Sequence, residues 1–333
     1  MNKTTKQQLL SLVNLSVGYS KDDALHSDIN VSVNAGEFTC LLGPNGAGKS
    51  TLIKTISGFL PKVEGEVWFG KERIENLNEQ KKAKLVSVVL TERISVPNLT
   101  VFELVGLGRT PYTGFFGKLT DTDVQKVYDA IKAVGLAKFA HKSIDKMSDG
   151  ERQKAMIAKA LVQETPFIIL DEPTAFLDFP AKIEIMQLLL QLSRDHNRGI
   201  LLSTHDLEMA LQIADKIWLI GPDRKLTEGV PEDLVLSNDF NDFFERDGIH
   251  FDKHAGNFKF HKSVQKPIQI VGEGIERCWL EKALNRIGYI DSNESNDLKV
   301  ELRKDDNAEI EYQLTKTGLS QNHQSIQSLI EQL

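Results

Sequence analysis

Gly43-Pro44-Asn45-Gly46-Ala47-Gly48-Lys49-Ser50-Thr51 matches the pattern G-x-x-x-x-G-K-[ST]. The apolar run Phe38-Thr39-Cys40-Leu41-Leu42 before it predicts a strand, and Leu52 to Ser57 after it predicts the opening of a helix. Strand, loop and helix in that order are what a phosphate-binding loop requires. The glycines let the backbone turn tightly enough for successive N–H groups to converge on a polyphosphate, and the helix N-terminus adds a positive dipole end. In this arrangement Lys49 reaches the terminal phosphates of a nucleoside triphosphate and the Ser50 hydroxyl holds Mg²⁺.

Upstream, Leu9 to Val17 predicts a first strand that ends at Gly18-Tyr19-Ser20, and Ile29 to Val33 a second. Tyr19 suits either a ring stacked on a nucleotide base or a half-buried turn tyrosine. Downstream, Gly65 to Gly70 predicts a hairpin strand and Leu85 to Leu90 a strand buried on both faces. Thr91 to Gly117 holds a short helix at Val101 to Leu107 and ends near Phe115 and Phe116, a pair that suits a docking surface or a satellite core. Asp121 to Val134 reads as an amphipathic helix.

Met147-Ser148-Asp149-Gly150-Glu151-Arg152-Gln153 leads into a strong helix. Ser148 as N-cap with Glu151 three residues on makes a capping box, which by itself accounts for both residues. A serine and a glycine at a helix N-terminus also suit a second anion site. Phe167-Ile168-Ile169-Leu170-Asp171-Glu172 then puts two acids at the tip of a wholly apolar strand, and ligands bind at the carboxyl ends of parallel strands. Asp171 there supports a Mg²⁺ shell, and Glu172 polarises a water for attack on the terminal phosphate. Gly199 to Asp206 repeats the design, with His205 placed to donate to that phosphate.

Composition closes off other classes. The chain has 333 residues, 41% hydrophobic and 26% charged, which suits two ordinary globular domains. A net charge of -7 argues against nonspecific nucleic-acid binding. No apolar run reaches membrane-spanning length, and the N-terminus has no secretory pattern. Cys40 and Cys278 lack metal-ligand spacing and read as two buried thiols in a reducing, cytoplasmic setting.

With these pieces in order, roughly residues 9 to 235 resemble the ATP-binding subunit of an ABC transporter. Tyr19 matches the adenine-stacking aromatic, Gly43 to Thr51 the Walker A loop, Ser148-Asp149-Gly150-Glu151 the signature motif and Phe167 to Glu172 the Walker B strand with its catalytic glutamate. Ala175-Phe176-Leu177-Asp178 matches the D-loop, which places Asp178 at the nucleotide, and His205 matches the switch histidine. Leu99 to Val105 followed by Gly106 to Tyr112 looks like the subgroup that imports ferric siderophores, haem and cobalamin. The chain departs from the family at Thr91-Glu92, where glutamine is usual, at Asp149 and Glu151 in the signature, and at Phe176 in the D-loop.

The resemblance implies an α/β P-loop ABC ATPase domain over residues 1–250, with a mainly parallel sheet core, an antiparallel β subdomain and a helical signature subdomain. It implies ATP and Mg²⁺, and a head-to-tail dimer in which Ser148 and Gly150 reach the nucleotide of a second copy. It also implies integral membrane permease subunits, an extracytoplasmic binding protein that meets the chain only through them, and a peripheral place on the cytoplasmic face of the membrane. A soluble ABC ATPase acting on a nucleoprotein or protein complex is the competing reading, disfavoured by the single cassette and the acidic charge.

Beyond Gly229 to Leu234 about a hundred residues remain. After a linker around His250 to Asn257, alternation at Phe258 to Phe260, Ile268 to Ile270, Leu298 to Leu302 and Ile310 to Leu314 predicts strands. Ile275, Trp279, Leu280, Ala283, Leu284 and Ile287 fall on one helical face, and Ile326 to Leu333 marks a last helix. Residues 251–333 are therefore expected to form a small α+β domain, with a regulatory or dimer-stabilising role as the functional expectation. From Gly256 onward 10 Lys or Arg stand against 12 Asp or Glu, so this is no basic arm. His250, His254 and His261 are spaced too loosely for a metal cluster.

Overall fold

The computed structural model describes residues 7–20, 23–90, 96–114, 117–175, 177–221, 223–237, 239–240, 249–253, 256–260, 266–292, 298–304 and 310–333. Thr91, Glu92, Phe115, Phe116, Phe176, His254 and His261 lie outside these. The chain divides into two compact units, Met1–Phe244 with Phe251–Asn257 and Glu245–His250 with Phe258–Leu333.

In the first unit the elements run β1 (Gln8–Ser20), β2 (Asp23–Asn34), β3 (Phe38–Leu42), α1 (Lys49–Ile56), β4 (Glu64–Phe69), β5 (Glu72–Arg73), α2 (Glu79–Leu85) and β6 (Val86–Val89). Then come α3 (Val101–Gly106), α4 (Asp121–Ala133), α5 (Asp149–Val162), β7 (Phe167–Asp171), α6 (Phe179–His196), β8 (Gly199–Thr204), α7 (Leu207–Ile213), β9 (Lys216–Ile220), β10 (Leu226–Gly229) and α8 (Pro231–Leu236). Strands β2-β1-β4-β5 make an antiparallel sheet, and β10-β9-β3-β8-β7-β6 a second sheet that is parallel except for β10.

The apolar runs explain the second sheet. Every residue of β3, β7 and β8 is buried, as strands covered on both faces must be. The run expected as a doubly buried strand at Leu85 to Leu90 is instead shared between the end of α2 and β6, which lies at the sheet's edge. Leu10, Leu12, Leu15, Leu52, Ile53, Ile56, Ile169 and Leu201 form part of one core, so α1 is gripped between the two sheets by its apolar face.

Helices α3, α4 and α5 each begin with a capping box, Thr100 with Glu103, Thr120 with Asp123 and Ser148 with Glu151. A buried arginine ties them together. Arg109 Nε donates to Asp123 Oδ1 at 2.8 Å, and its NH1 donates to the Val162 carbonyl at 2.9 Å and to Glu164 at 2.7 Å. Its guanidinium also lies 3.9 Å from the Tyr112 ring centre. Hydrogen bonds from Thr120, helped by Arg109, hold the Asp123 carboxyl below its ordinary range.

The second unit holds an α+β fold, as the alternation predicts. The supposed linker holds a strand pair, β11 (Ile249–Asp252) with β12 (Asn257–Phe260), of which Phe251–Asn257 is counted with the first unit. Five strands follow, β13 (Lys266–Val271), β14 (Tyr289–Asp291), β15 (Leu298–Lys304), β16 (Ile310–Lys316) and β17 (Leu319–His323), in the order β14-β13-β15-β16-β17. Helices α9 (Ile275–Ile287) and α10 (Ile326–Ile330) cover the sheet through Leu280, Leu284 and Leu329. Ile275 and Trp279, which share the apolar helical face, are 68% and 58% exposed. Cys278 is also exposed, while burial pushes the Cys40 thiol far above its ordinary range, with Asp215 adding to the effect.

Candidate nucleotide-binding site

The phosphate loop joins β3 to α1 and carries two left-handed glycines, Gly46 at φ 80° and Gly48 at φ 91°. Gly48 is the N-cap of α1, so no side chain caps this helix, and no acid stands in its first turn. Its free N–H groups and positive dipole end are left for an anion.

Three strand ends meet at this loop because β3, β8 and β7 are neighbours in parallel register. Lys49 is nearly buried, and its ammonium donates to the carbonyls of Gly43 at 2.8 Å and Pro44 at 3.2 Å. It stands 3.7 Å from Glu172 Oε1, and Glu172 Oε2 stands 4.0 Å from His205 Nδ1. Glu172 therefore links the loop of β3 to the tip of β8. Its backbone is left-handed at φ 48°, an arrangement that costs a non-glycine residue about 1–2 kcal/mol. Two hydrogen bonds hold it there, from Glu172 N to the Ser203 carbonyl at 3.2 Å and to Ser203 Oγ at 3.0 Å.

Ser203 is a functional neighbour that sequence reading missed. Its hydroxyl donates to Asp171 Oδ1 at 2.6 Å, so it orients both acids of the β7 tip. Asp171 is buried, Ser50 lies exposed in the first turn of α1, and the Ser50 hydroxyl makes no hydrogen bond among the described residues. Among the described residues no group of three His, Cys, Asp or Glu forms a metal cage. Mg²⁺ needs none, since it takes one or two carboxylates with water and substrate phosphates, and Ser50 and Asp171 are oxygen donors of that kind.

Tyr19 lies near the end of β1 with its ring exposed, two residues beyond Val17. Val17 pairs with His26, whose ring touches the Ala47 carbonyl. Ser148 and Gly150 stand elsewhere. Ser148 Oγ accepts from Glu151 N at 3.2 Å, and Ser148 N donates back to Glu151 Oε2 at 2.9 Å. Asp178 caps α6 by accepting from Ala181 N at 3.0 Å, and a Cβ on Gly150 would touch the Ala181 side chain at 3.4 Å. Among the described residues no hydrogen bond or ion pair joins Ser148, Gly150 or Asp178 to the phosphate loop of the same chain.

A parallel sheet whose strand ends gather such a loop, its lysine and two acids defines a P-loop nucleoside-triphosphate-binding protein. A family model described as ABC transporter matches residues 26–175, and one described as iron ABC transporter C-terminal domain matches residues 265–333. An uncharacterized ABC transporter ATP-binding protein of Methanocaldococcus jannaschii is 42% identical over 258 residues, 78% of this chain and 89% of its own length. The iron(3+)-hydroxamate import ATP-binding protein FhuC of Bacillus subtilis is 34% identical over 238 residues, 72% of this chain and 88% of its own. A solved dimeric bacterial ABC transporter cassette superposes with a TM-score of 0.59 at 25% identity, covering 67% of this chain and 99% of that one. The chain belongs to the ATP-binding, ATP-hydrolysing proteins of ABC transporters.

Proposed function

We propose that this chain powers an importer of an iron chelate, a ferric siderophore or haem, with cobalamin as the alternative cargo. The hydrolytic part rests on one observation, Glu172 standing between Lys49 of the phosphate loop and His205 of the next strand. The iron reading is supported by the match of residues 265–333 to an iron-transporter domain.

In this reading the N–H groups of Gly43 to Gly48, with Pro44, Asn45 and Ala47 shaping the turn, cradle the ATP phosphates, and Thr51 anchors the first turn of α1. Lys49 turns from its loop carbonyls to the terminal phosphates, and Tyr19 stacks on the base. Glu172 orients the attacking water and accepts its proton, while His205 donates to the terminal phosphate. Ser50 and Asp171 supply the oxygens for Mg²⁺, which when bound neutralises charge gathering on the phosphate oxygens. A second copy completes each site with Ser148 and Gly150, and its Asp178 lies at the same seam.

The remaining partners follow from that reading. Integral membrane permease subunits choose the cargo, an extracytoplasmic binding protein delivers it to them, and the chain works on the cytoplasmic face as a peripheral subunit. No helix among the described residues is long and apolar enough to cross a membrane. Nucleic acid has no part in it. Residues 1–250 carry the ATPase and 251–333 a regulatory or dimer-stabilising domain.

Glu172→Gln tests the chemistry. ATP binding should survive and turnover should fall by about 10²–10⁴-fold, the usual contribution of a general base. Turnover at the parental rate would remove Glu172 from the role. Uptake of labelled ferric siderophore, haem and cobalamin by cells with and without the chain tests the cargo.

A further inference from the structure

His26 lies on β2, outside every motif, and is 2% exposed. Both of its ring nitrogens face carbonyl oxygens. Nε2 is 2.6 Å from the Ala47 carbonyl in the phosphate loop, and Nδ1 is 2.7 Å from the Arg224 carbonyl in the turn between β9 and β10. A carbonyl only accepts, and a neutral imidazole donates from one nitrogen while the other presents a lone pair. Neutral His26 would therefore push a lone pair against an oxygen in either tautomer, away from water. Only the imidazolium donates at both nitrogens, and both bonds are then charge-assisted.

The bond to Ala47 has a consequence for the loop. In a planar trans peptide the C=O and the following N–H point in opposite directions. Fixing the Ala47 carbonyl on His26 turns the Gly48 N–H away from the ring. The same ring fills the place of any side chain at position 48, since a Cβ there would meet Nε2 at 2.6 Å. We propose that His26 is a positioning residue of the phosphate loop, a doubly protonated clasp that fixes the Ala47–Gly48 peptide so that its N–H is aimed at the nucleotide phosphates. This rests on the assignment of Gly43 to Thr51 as the ATP loop.

Among the described residues no other hydrogen-bond partner faces the ring nitrogens. On its own strand the Asp28 carboxylate accepts from Asn30, and β1 opposite places Val17 against His26. On α1 the Lys49 ammonium turns to Gly43 and Pro44, and in the β9–β10 turn Lys225 pairs with Asp223 at 3.7 Å beside Arg224. Among the described residues no carboxylate hydrogen-bonds the ring. Loss of either ring proton would leave one of the two carbonyls without its donor.

Two measurements on the full-length chain decide this. The first is a ¹⁵N spectrum of histidine-labelled wild-type protein without nucleotide, with His26 assigned by through-bond correlation. Protons on both ring nitrogens at neutral pH are expected, and a neutral imidazole overturns the clasp. The second is binding of a fluorescent ATP analogue between pH 6 and 9, by wild type and by His26→Gln, whose amide donates to only one carbonyl. Losing a charge-assisted bond predicts roughly tenfold weaker binding in His26→Gln than in the wild type at pH 6. The kcat at saturating ATP should stay within about twofold, because the clasp acts on binding geometry and not on the water-activating groups. Equal affinities at every pH overturn the proposal. Failure of the wild type itself to bind ATP would overturn the loop assignment instead, and the spectrum would still decide the state of His26.

Discussion

Helices α1 and α5 both start at a loop assigned to ATP, yet their N-termini are built in opposite ways. At α1 the cap is Gly48, no side chain occupies the terminal N–H groups, and no acid lies in the first turn. At α5 the cap is Ser148, Glu151 closes the capping box, and Asp149 and Glu151 put two acids in the first turn. The first end is electrostatically open to phosphate, and the second is already satisfied by its own side chains. A helix N-terminus therefore binds phosphate only as far as its own chain leaves it free, and α5 must give up part of its capping to take one.

The largest effect that can break this contrast is at Lys49. Lys49→Ala should abolish measurable ATP binding, and retention of wild-type affinity in equilibrium dialysis would show that the open end of α1 is not the phosphate site. Next comes Gly48→Ala. A side chain at φ 91° that also meets His26 should destabilise the protein by about 1–2 kcal/mol in urea unfolding. It should weaken ATP binding as well. Ser148→Ala removes the cap of α5 and should cost about 1 kcal/mol, without changing ATP affinity in the monomer. Glu151→Gln keeps the box while removing a charge, so it should raise ATPase activity of the dimer by a few-fold, and lowered activity would show that the acid assists the phosphate. The smallest effect is expected outside the ATP-binding unit. Trp279→Ala should change stability by less than about 0.5 kcal/mol because the ring is exposed. Leu280→Ala beside it should cost about 2–5 kcal/mol because it is fully buried.

What could be read from the sequence is what lies contiguous along it. The phosphate loop, the acids at the tip of β7 and the polar tip of β8 were each legible, because an apolar strand ending in polar residues needs no knowledge of distant parts. The α/β class followed from the same runs. Ser203 and His26 were not legible, since their roles come from strand pairing, Asp171 opposite Ser203 and Val17 opposite His26. In the second unit the strands and helices were legible from alternation, but the buried face of α9 was not. A wide apolar stripe from Ile275 to Ile287 does not say which edge meets the sheet, and the structure turns Leu280 and Leu284 inward while Ile275 and Trp279 stay in solvent.

The ammonium of Lys49, resting on the carbonyls of its own loop and within reach of Glu172, has a thermodynamic consequence. Before nucleotide arrives, its positive charge is already spread over two dipoles and one carboxylate. Arrival of a polyphosphate is then an exchange of partners at a preformed cation, and a chain without that cation would leave the phosphates facing Glu172 uncompensated. The exchange would also free the Glu172 carboxylate from Lys49 at the moment the phosphate is in place, leaving it to hold the attacking water.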